Sequence, residues 1–175
     1  MRSISKIMAL GIFLSTAIMI PASAAPVMPQ DGAAIRALVQ RTWARFGTTG
    51  VPHGPRYDPP RTAEFTSLNT RCNSLNRGQD DEACAPDNPY CLCWNEYRPY
   101  AGGVQIVGVN PNVIDARVSI LLGGNPGPST QTAVMRFVRS SGGWLLDDVF
   151  NVDRRGNKEN MSLKEKLKIN IDEMR

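Results

Sequence analysis

The chain has 175 residues, with 20 Lys and Arg against 16 Asp and Glu, a formal net charge of +4 and a pI near 9.0. Residues 1–24 hold Arg2 and Lys6 and no acid, so the remaining 151 carry 18 basic against 16 acidic side chains, a net of +2. That length and balance suit one globular domain and exclude a disordered chain, a collagen and a supercharged nucleic-acid-binding tail.

The first segment reads as a secretory signal peptide. Arg2 and Lys6 make a positive start, Ile7 to Ile20 is an apolar run of 14 residues, Pro21 breaks it, and Ala22-Ser23-Ala24 is a small-x-small cleavage site. Fourteen residues fall short of the ~20 that span a bilayer. Cleavage is expected between Ala24 and Ala25, leaving no membrane anchor and a periplasmic or secreted protein. Export makes the four cysteines informative. Cys72, Cys84, Cys91 and Cys93 are an even number in an oxidising compartment, which points to two disulfides. A direct Cys91–Cys93 bond closes a very small ring and ranks last of the three pairings. Nested pairing (Cys84–Cys91 inside Cys72–Cys93) and crossed pairing (Cys72–Cys91 with Cys84–Cys93) both remain open. The Cys-x-Cys spacing is not that of a zinc finger or ribbon, and the one histidine, His53, is distant in sequence, so neither a metal nor another cofactor is expected.

Residues 25–30 are expected to be a disordered leader. From Asp31 a helical stripe runs through Ile35, Leu38, Val39, Thr42, Trp43 and Phe46, with Arg36, Gln40, Arg41 and Arg45 on the other side. Asp31 suits the N-cap and Gly47 the stop. Residues 47–103 differ in character, holding seven of the thirteen prolines and all four cysteines, and form an irregular, disulfide-stapled region. Within it Phe65, Leu68, Cys72 and Leu75 have the spacing of one short helix. From Val104 the period changes to two. Strands are expected at 104–109, 113–122, 130–139 and 144–152, with hairpin turns at Asn110-Pro111-Asn112 and Ser140-Ser141-Gly142-Gly143. Ser162 then caps a last helix with Leu163, Leu167, Ile171 and Met174 on one face. The fold class is α+β, one domain over 31–175. A long N-terminal helix packs on a curved four-stranded antiparallel meander, with a short second helix and a C-terminal helix.

Gly143-Trp144-Leu145-Leu146-Asp147-Asp148-Val149, followed by Ser162-Leu163-Lys164-Glu165-Lys166-Leu167, resembles the end of a family of small exported bacterial proteins classed as a domain of unknown function. Asp87-Asn88-Pro89-Tyr90 and Trp94-Asn95-Glu96-Tyr97 stand where that family carries an acid-rich aromatic segment. The resemblance covers roughly residues 33–172 and implies a cystatin-like cone similar to nuclear transport factor 2 and the polyketide cyclases. The Cys-x-Cys insertion departs from it, and it carries over no functional residue.

Functional groups are sparse. No Gly-x-Ser-x-Gly, helical His-Glu-x-x-His, phosphate loop or dinucleotide fingerprint occurs, and no catalytic residue is assigned. Asp147 and Asp148 alternate on a strand, so they are not a dyad. Asp148 is expected on the face of Trp144, Leu146, Phe150 and Val152, where it either is held structurally at the helix–sheet seam or serves as base or anchor in a helix–sheet cavity. Tyr90, Trp94, Tyr97 and Tyr100 are four of the eleven aromatics after residue 24, interleaved with Arg98 beside the cysteines. Aromatics and Arg on a cross-linked loop suit recognition, because docking then orders little new chain. The binding candidates are therefore Tyr90, Trp94, Tyr97, Arg98 and Asp148. The expected function is a non-enzymatic binding or inhibitor domain, of the immunity type for instance, facing a protein or envelope partner; the alternative is a small-molecule enzyme or carrier. A net charge of +2 without a basic run gives no support to nucleic-acid binding.

Overall fold

The computed structural model describes residues 25–44, 58–76, 84, 90, 100–122, 129–153, 155–158 and 161–175. Expectations for the signal peptide, for Arg45, Phe46, Gly47 and His53, and for Cys91, Cys93, Trp94, Tyr97 and Arg98 lie outside them. The fold is α+β. Helix α1 (Pro29–Ala44) and helix α2 (Ala63–Asn76) precede strands β1 (Tyr100–Asn110), β2 (Val113–Leu122), β3 (Ser129–Ser140) and β4 (Gly143–Val152), and helix α3 (Leu163–Glu173) follows. The strands form one antiparallel sheet in the order β1-β2-β3-β4. Among the described residues no helix is long and apolar enough to cross a membrane.

The meander follows the alternation in the sequence. Ile114, Ala116, Val118 and Ile120 of β2 are buried and face Phe137, Met135 and Ala133 of β3. At the β3–β4 turn Gly143 adopts φ 121°, where a side chain is disfavoured, and the Ser140 hydroxyl donates to the Gly143 carbonyl at 2.9 Å. β1 starts four residues earlier than its apolar run, because Tyr100 and Ala101 pair with Leu121 and Ile120. The ten-residue partner strand draws Gly102 and Gly103 into the sheet despite their loop-like composition.

All three helices contribute to the core on one face of the sheet. Ile35, Val39 and Trp43 of α1, Phe65 and Cys72 of α2, and Leu163, Leu167 and Ile171 of α3 join one buried cluster with the inward residues of the strands. Leu75 departs from its expected apolar face and is 37% exposed, with Asn76 buried instead. Ser162 caps α3 as the sequence indicates: its hydroxyl accepts from the Glu165 amide while the Glu165 carboxylate accepts from the Ser162 amide.

Three expectations are corrected. Residues 25–30 are ordered: the Ala25 amide donates to the Gly108 carbonyl at 3.0 Å, and α1 opens at Pro29, whose fixed φ suits a first helical position. Asp31 is not the N-cap. It lies in the first turn with its carboxylate turned to the sheet, accepting from Trp144 Nε1 at 3.0 Å and from Arg139, whose guanidinium stacks 4.4 Å over the Trp144 ring. Among the described residues the disulfide is Cys72–Cys84, with Cα atoms 5.5 Å apart; it belongs to the pairing ranked last and replaces the nested and crossed pairings, both of which part these two residues. Cys72 is on the core face of α2, and the chain needs only 12 residues to return Cys84 to it.

Both edges of the sheet are partly covered. Beside β4 the segment before α2 runs parallel, Leu146 donating to the Pro60 carbonyl at 2.7 Å and Thr62 to the Leu146 carbonyl at 2.9 Å. Beside β1, Ala25 pairs with Gly108, and Arg36 Nη1 donates to the Val104 carbonyl at 2.6 Å. Such covering blunts edge-to-edge association.

Candidate functional site

A bulge in β4 decides where its carboxylates go. Arg136 pairs with Asp148 while the next residue, Phe137, pairs with Leu146, so Asp147 is one residue more than β3 can match. Before the bulge Trp144 and Leu146 face the helices. After it Val149 does, and Phe150 and Val152 form a separate small cluster with Val134 on the opposite face. This overturns the expectation that Asp148 shares a face with Trp144 and Leu146. It lies on the face opposite the helical core, where it borders, with residues of α3, a cleft between that helix and the sheet. Its Oδ1 accepts from its neighbour Val149 at 2.8 Å and from the Lys164 amide in the first turn of α3 at 3.1 Å. That is a structural engagement, satisfying a helix donor that would otherwise lack a partner.

Around this seam runs a set of ion pairs. Lys164 Nζ reaches Asp147 at 3.0 Å and Glu64 of α2 at 2.5 Å, and Lys168 reaches Glu64 at 2.9 Å. The two lysines hold the Glu64 carboxyl down to about 2, chiefly through the Lys164 hydrogen bond. Partial burial works against the Lys164 ammonium, but its hydrogen bonds to Glu64 and Asp147 prevail and raise its pKa. Glu64 thereby ties α2 to α3 at the surface.

The open face of the sheet has its own order. Asp115, Arg136 and Asp148 stand in one register row across β2, β3 and β4, and Gln105, Arg117, Val134 and Phe150 in the next across all four strands. Ser119, Thr132 and Val152 make a third. Arg136 holds both oxygens of buried Asp115, through Nε at 2.8 Å and Nη2 at 2.9 Å, and this hydrogen bonding raises the arginine's pKa. Its guanidinium also lies 5.1 Å from the Phe150 ring centre. The turn after β4 folds back over this face: Val152 bridges to Lys158, and Gly156 sits beside Arg117. Asp153 organises that turn by accepting from the Arg155 and Asn157 amides at 2.8 Å, which lowers its pKa. Two clefts result, both bordered by Arg117 and Val152. The larger, about 540 Å³, lies toward α3 and includes Asp148 and Lys158; the other, about 440 Å³, lies toward β1.

Of the binding candidates, Tyr90 is not a surface ring. It is 2% exposed, its hydroxyl donates to Asp58 at 2.7 Å and accepts from Arg61 at 3.0 Å, and burial, opposed by Arg61 and aided by Asp58, pushes its pKa up to about 12. Arg61 also lies over the Phe65 and Tyr90 rings. Tyr90 thus anchors its segment to the chain entering α2, through neighbours 29 and 32 positions earlier that its local sequence does not reveal. Buried Cys84 is a second anchor, through its disulfide to Cys72. Asp115 and Arg117 alternate with the apolar residues of β2, and the sequence alone assigns neither a role. The opposed charges of Asp115 and Arg136 were the available signal once the strands were set in register. Compared with known proteins, the chain matches no family model, no curated protein and no solved structure.

Proposed function

We propose that this is a non-enzymatic binding domain of the bacterial periplasm. Its recognition surface is the face of the sheet opposite the helical core together with the aromatic segment that leads into β1. One observation carries the reading. All three helices pack on one face, while the other presents arginines, hydroxyls and two clefts on a rigid antiparallel frame. A pre-ordered surface of this kind loses little freedom on docking. Trp94, Tyr97 and Arg98 belong to the proposal through their position in the chain, between the buried anchor Tyr90 and the first residue of β1. Asp148 contributes as the acid that fixes α3 at the border of the face, in place of the base that a small-molecule enzyme needs. The helix-on-sheet arrangement supports a cystatin-like cone as the finer description of the fold, and the Cys72–Cys84 bond supports an oxidising compartment.

The reading is tested by recovering partners from periplasmic extract with the tagged, exported protein. Ser119 is exposed in the middle of the open face, so Ser119→Arg places a bulky side chain there without touching the core. Loss of capture in Ser119→Arg and in Trp94→Ala, with unchanged circular dichroism, is the expected result. Capture equal to wild type in both variants refutes the assigned surface.

A further inference from the structure

We propose that the cleft of about 440 Å³ bordered by Gly103, Gln105, Arg117, Ser119, Thr132 and Arg155 binds a small oxyanion-bearing ligand, a carboxylate or phosphate group, held by the Arg117 guanidinium. This rests on reading the open face as the recognition surface, and gives that face a ligand class.

The larger cleft beside it is lined by five cations, Arg117, Arg136, Lys158, Lys164 and Lys168, against three carboxylates, Asp115, Asp148 and Glu165. Four of the cations hold a carboxylate. Arg136 takes Asp115, Lys158 takes Glu165, Lys164 takes Glu64 and Asp147, and Lys168 takes Glu64. Asp148 is engaged by the amide that opens α3; Asp153, the carboxylate that lines the proposed cleft, is engaged by the amides of its own turn and by the Asn157 side chain. Arg117 is different. It is half-buried in a central strand, its register neighbours Gln105 and Val134 are uncharged, and its Nε is buried with no hydrogen-bond partner among the described residues. A buried donor without a partner is destabilising. A guanidinium left unpaired where the surroundings are partly dry is most readily satisfied by an oxyanion, whose two oxygens match its planar fork.

The walls suit the same chemistry. Ser119 and Thr132 are directly cross-strand, so two hydroxyl donors stand side by side next to the arginine. Gln105 adds an amide, and Arg155 a second guanidinium at the rim. At Gly103 the space is open: a Cβ built there meets no atom of the described residues within 4 Å. A glycine at this point of the edge strand leaves the entrance clear.

Amide chemical-shift titration of the exported, purified protein tests the site, with inorganic phosphate and succinate as separate probes and sodium chloride at matched ionic strength as reference. The expected result is a saturable shift at Gly103, Ser119 and Gly156 with at least one probe. Affinity should fall at least tenfold in Arg117→Gln and in Gly103→Val, which fills the entrance while keeping every charge. Arg71→Gln, on the exposed surface of α2, should leave it unchanged. Saturation by phosphate alone assigns a phosphorylated ligand, and saturation by succinate alone a carboxylate. No response to either probe beyond that of chloride overturns the inference, as does affinity unaltered in both cleft variants. Capture lost in Ser119→Arg but no response to either probe refutes the oxyanion and leaves the recognition surface standing; a saturable response with capture unaltered does the reverse.

Discussion

Replacing Cys72 and Cys84 together by alanine removes a cross-link that joins the core face of α2 to the chain that follows it. The closed loop spans a sequence separation of 12 residues. Loop-closure entropy for a ring of that size is worth about 3 kcal/mol at 25 °C. In a domain of this length each kcal/mol moves the midpoint by about 2–4 °C, so the double variant should melt roughly 6–12 °C lower. Cys72 is fully buried against Phe65 and its neighbours, so loss of its sulfur adds to this figure. The assay is thermal denaturation followed by circular dichroism, paired with a digest of the unreduced, denatured protein. Trypsin and chymotrypsin cut after Arg77 and Tyr90, which separates Cys84 from both Cys91 and Cys93. The expected product is a Cys72 peptide linked to a Cys84 peptide. A Cys72 peptide linked to one carrying Cys91 or Cys93, or a midpoint unchanged in the double variant, refutes the reasoning.

Asp148→Asn weakens the hydrogen bond to the first turn of α3 and should cost about 1 kcal/mol in urea denaturation. Partner capture should persist; its loss in a fully folded Asp148→Asn protein would return Asp148 to a direct binding role. Acid should loosen the tie between α2 and α3. Glu64 titrates near 2 in the folded chain against an ordinary 4.5, so the unfolded state binds more protons between those values. Its contribution is full above about pH 4.5 and disappears as pH falls toward 2. The urea midpoint of the wild type should therefore drop more steeply from pH 5 to pH 3 than that of Glu64→Gln, and equal slopes contradict the assignment.

Period and punctuation in the sequence are enough to place the four strands, α2 and α3, because alternation and capping residues act locally. Ser162 illustrates this: the Ser-x-x-Glu spacing is itself the capping box. Asp148 illustrates the opposite. Alternation along β4 assumes an unbroken register, and the extra residue at Asp147 becomes visible only when β3 is laid beside it, which sends the carboxylate to the other face. Asp31 looked like a cap because Asp is good at that task, yet a side chain 113 residues away offers its indole N–H and takes the carboxylate instead. Tyr90 shared the composition of a recognition loop, but its hydroxyl meets Asp58 and Arg61, and burial between them makes it an anchor. Cysteine pairing is a property of where α2 ends in space, and spacing along the chain does not contain it.

The most direct test of the open face as the recognition surface is site-specific photo-crosslinking in the periplasm. A benzophenone side chain is placed at Ser119 on the open face or at Ile169, which is 41% exposed on α3. Crosslinked adducts at position 119 and none at position 169 are the predicted result. Adducts at 169 with none at 119 would contradict the account.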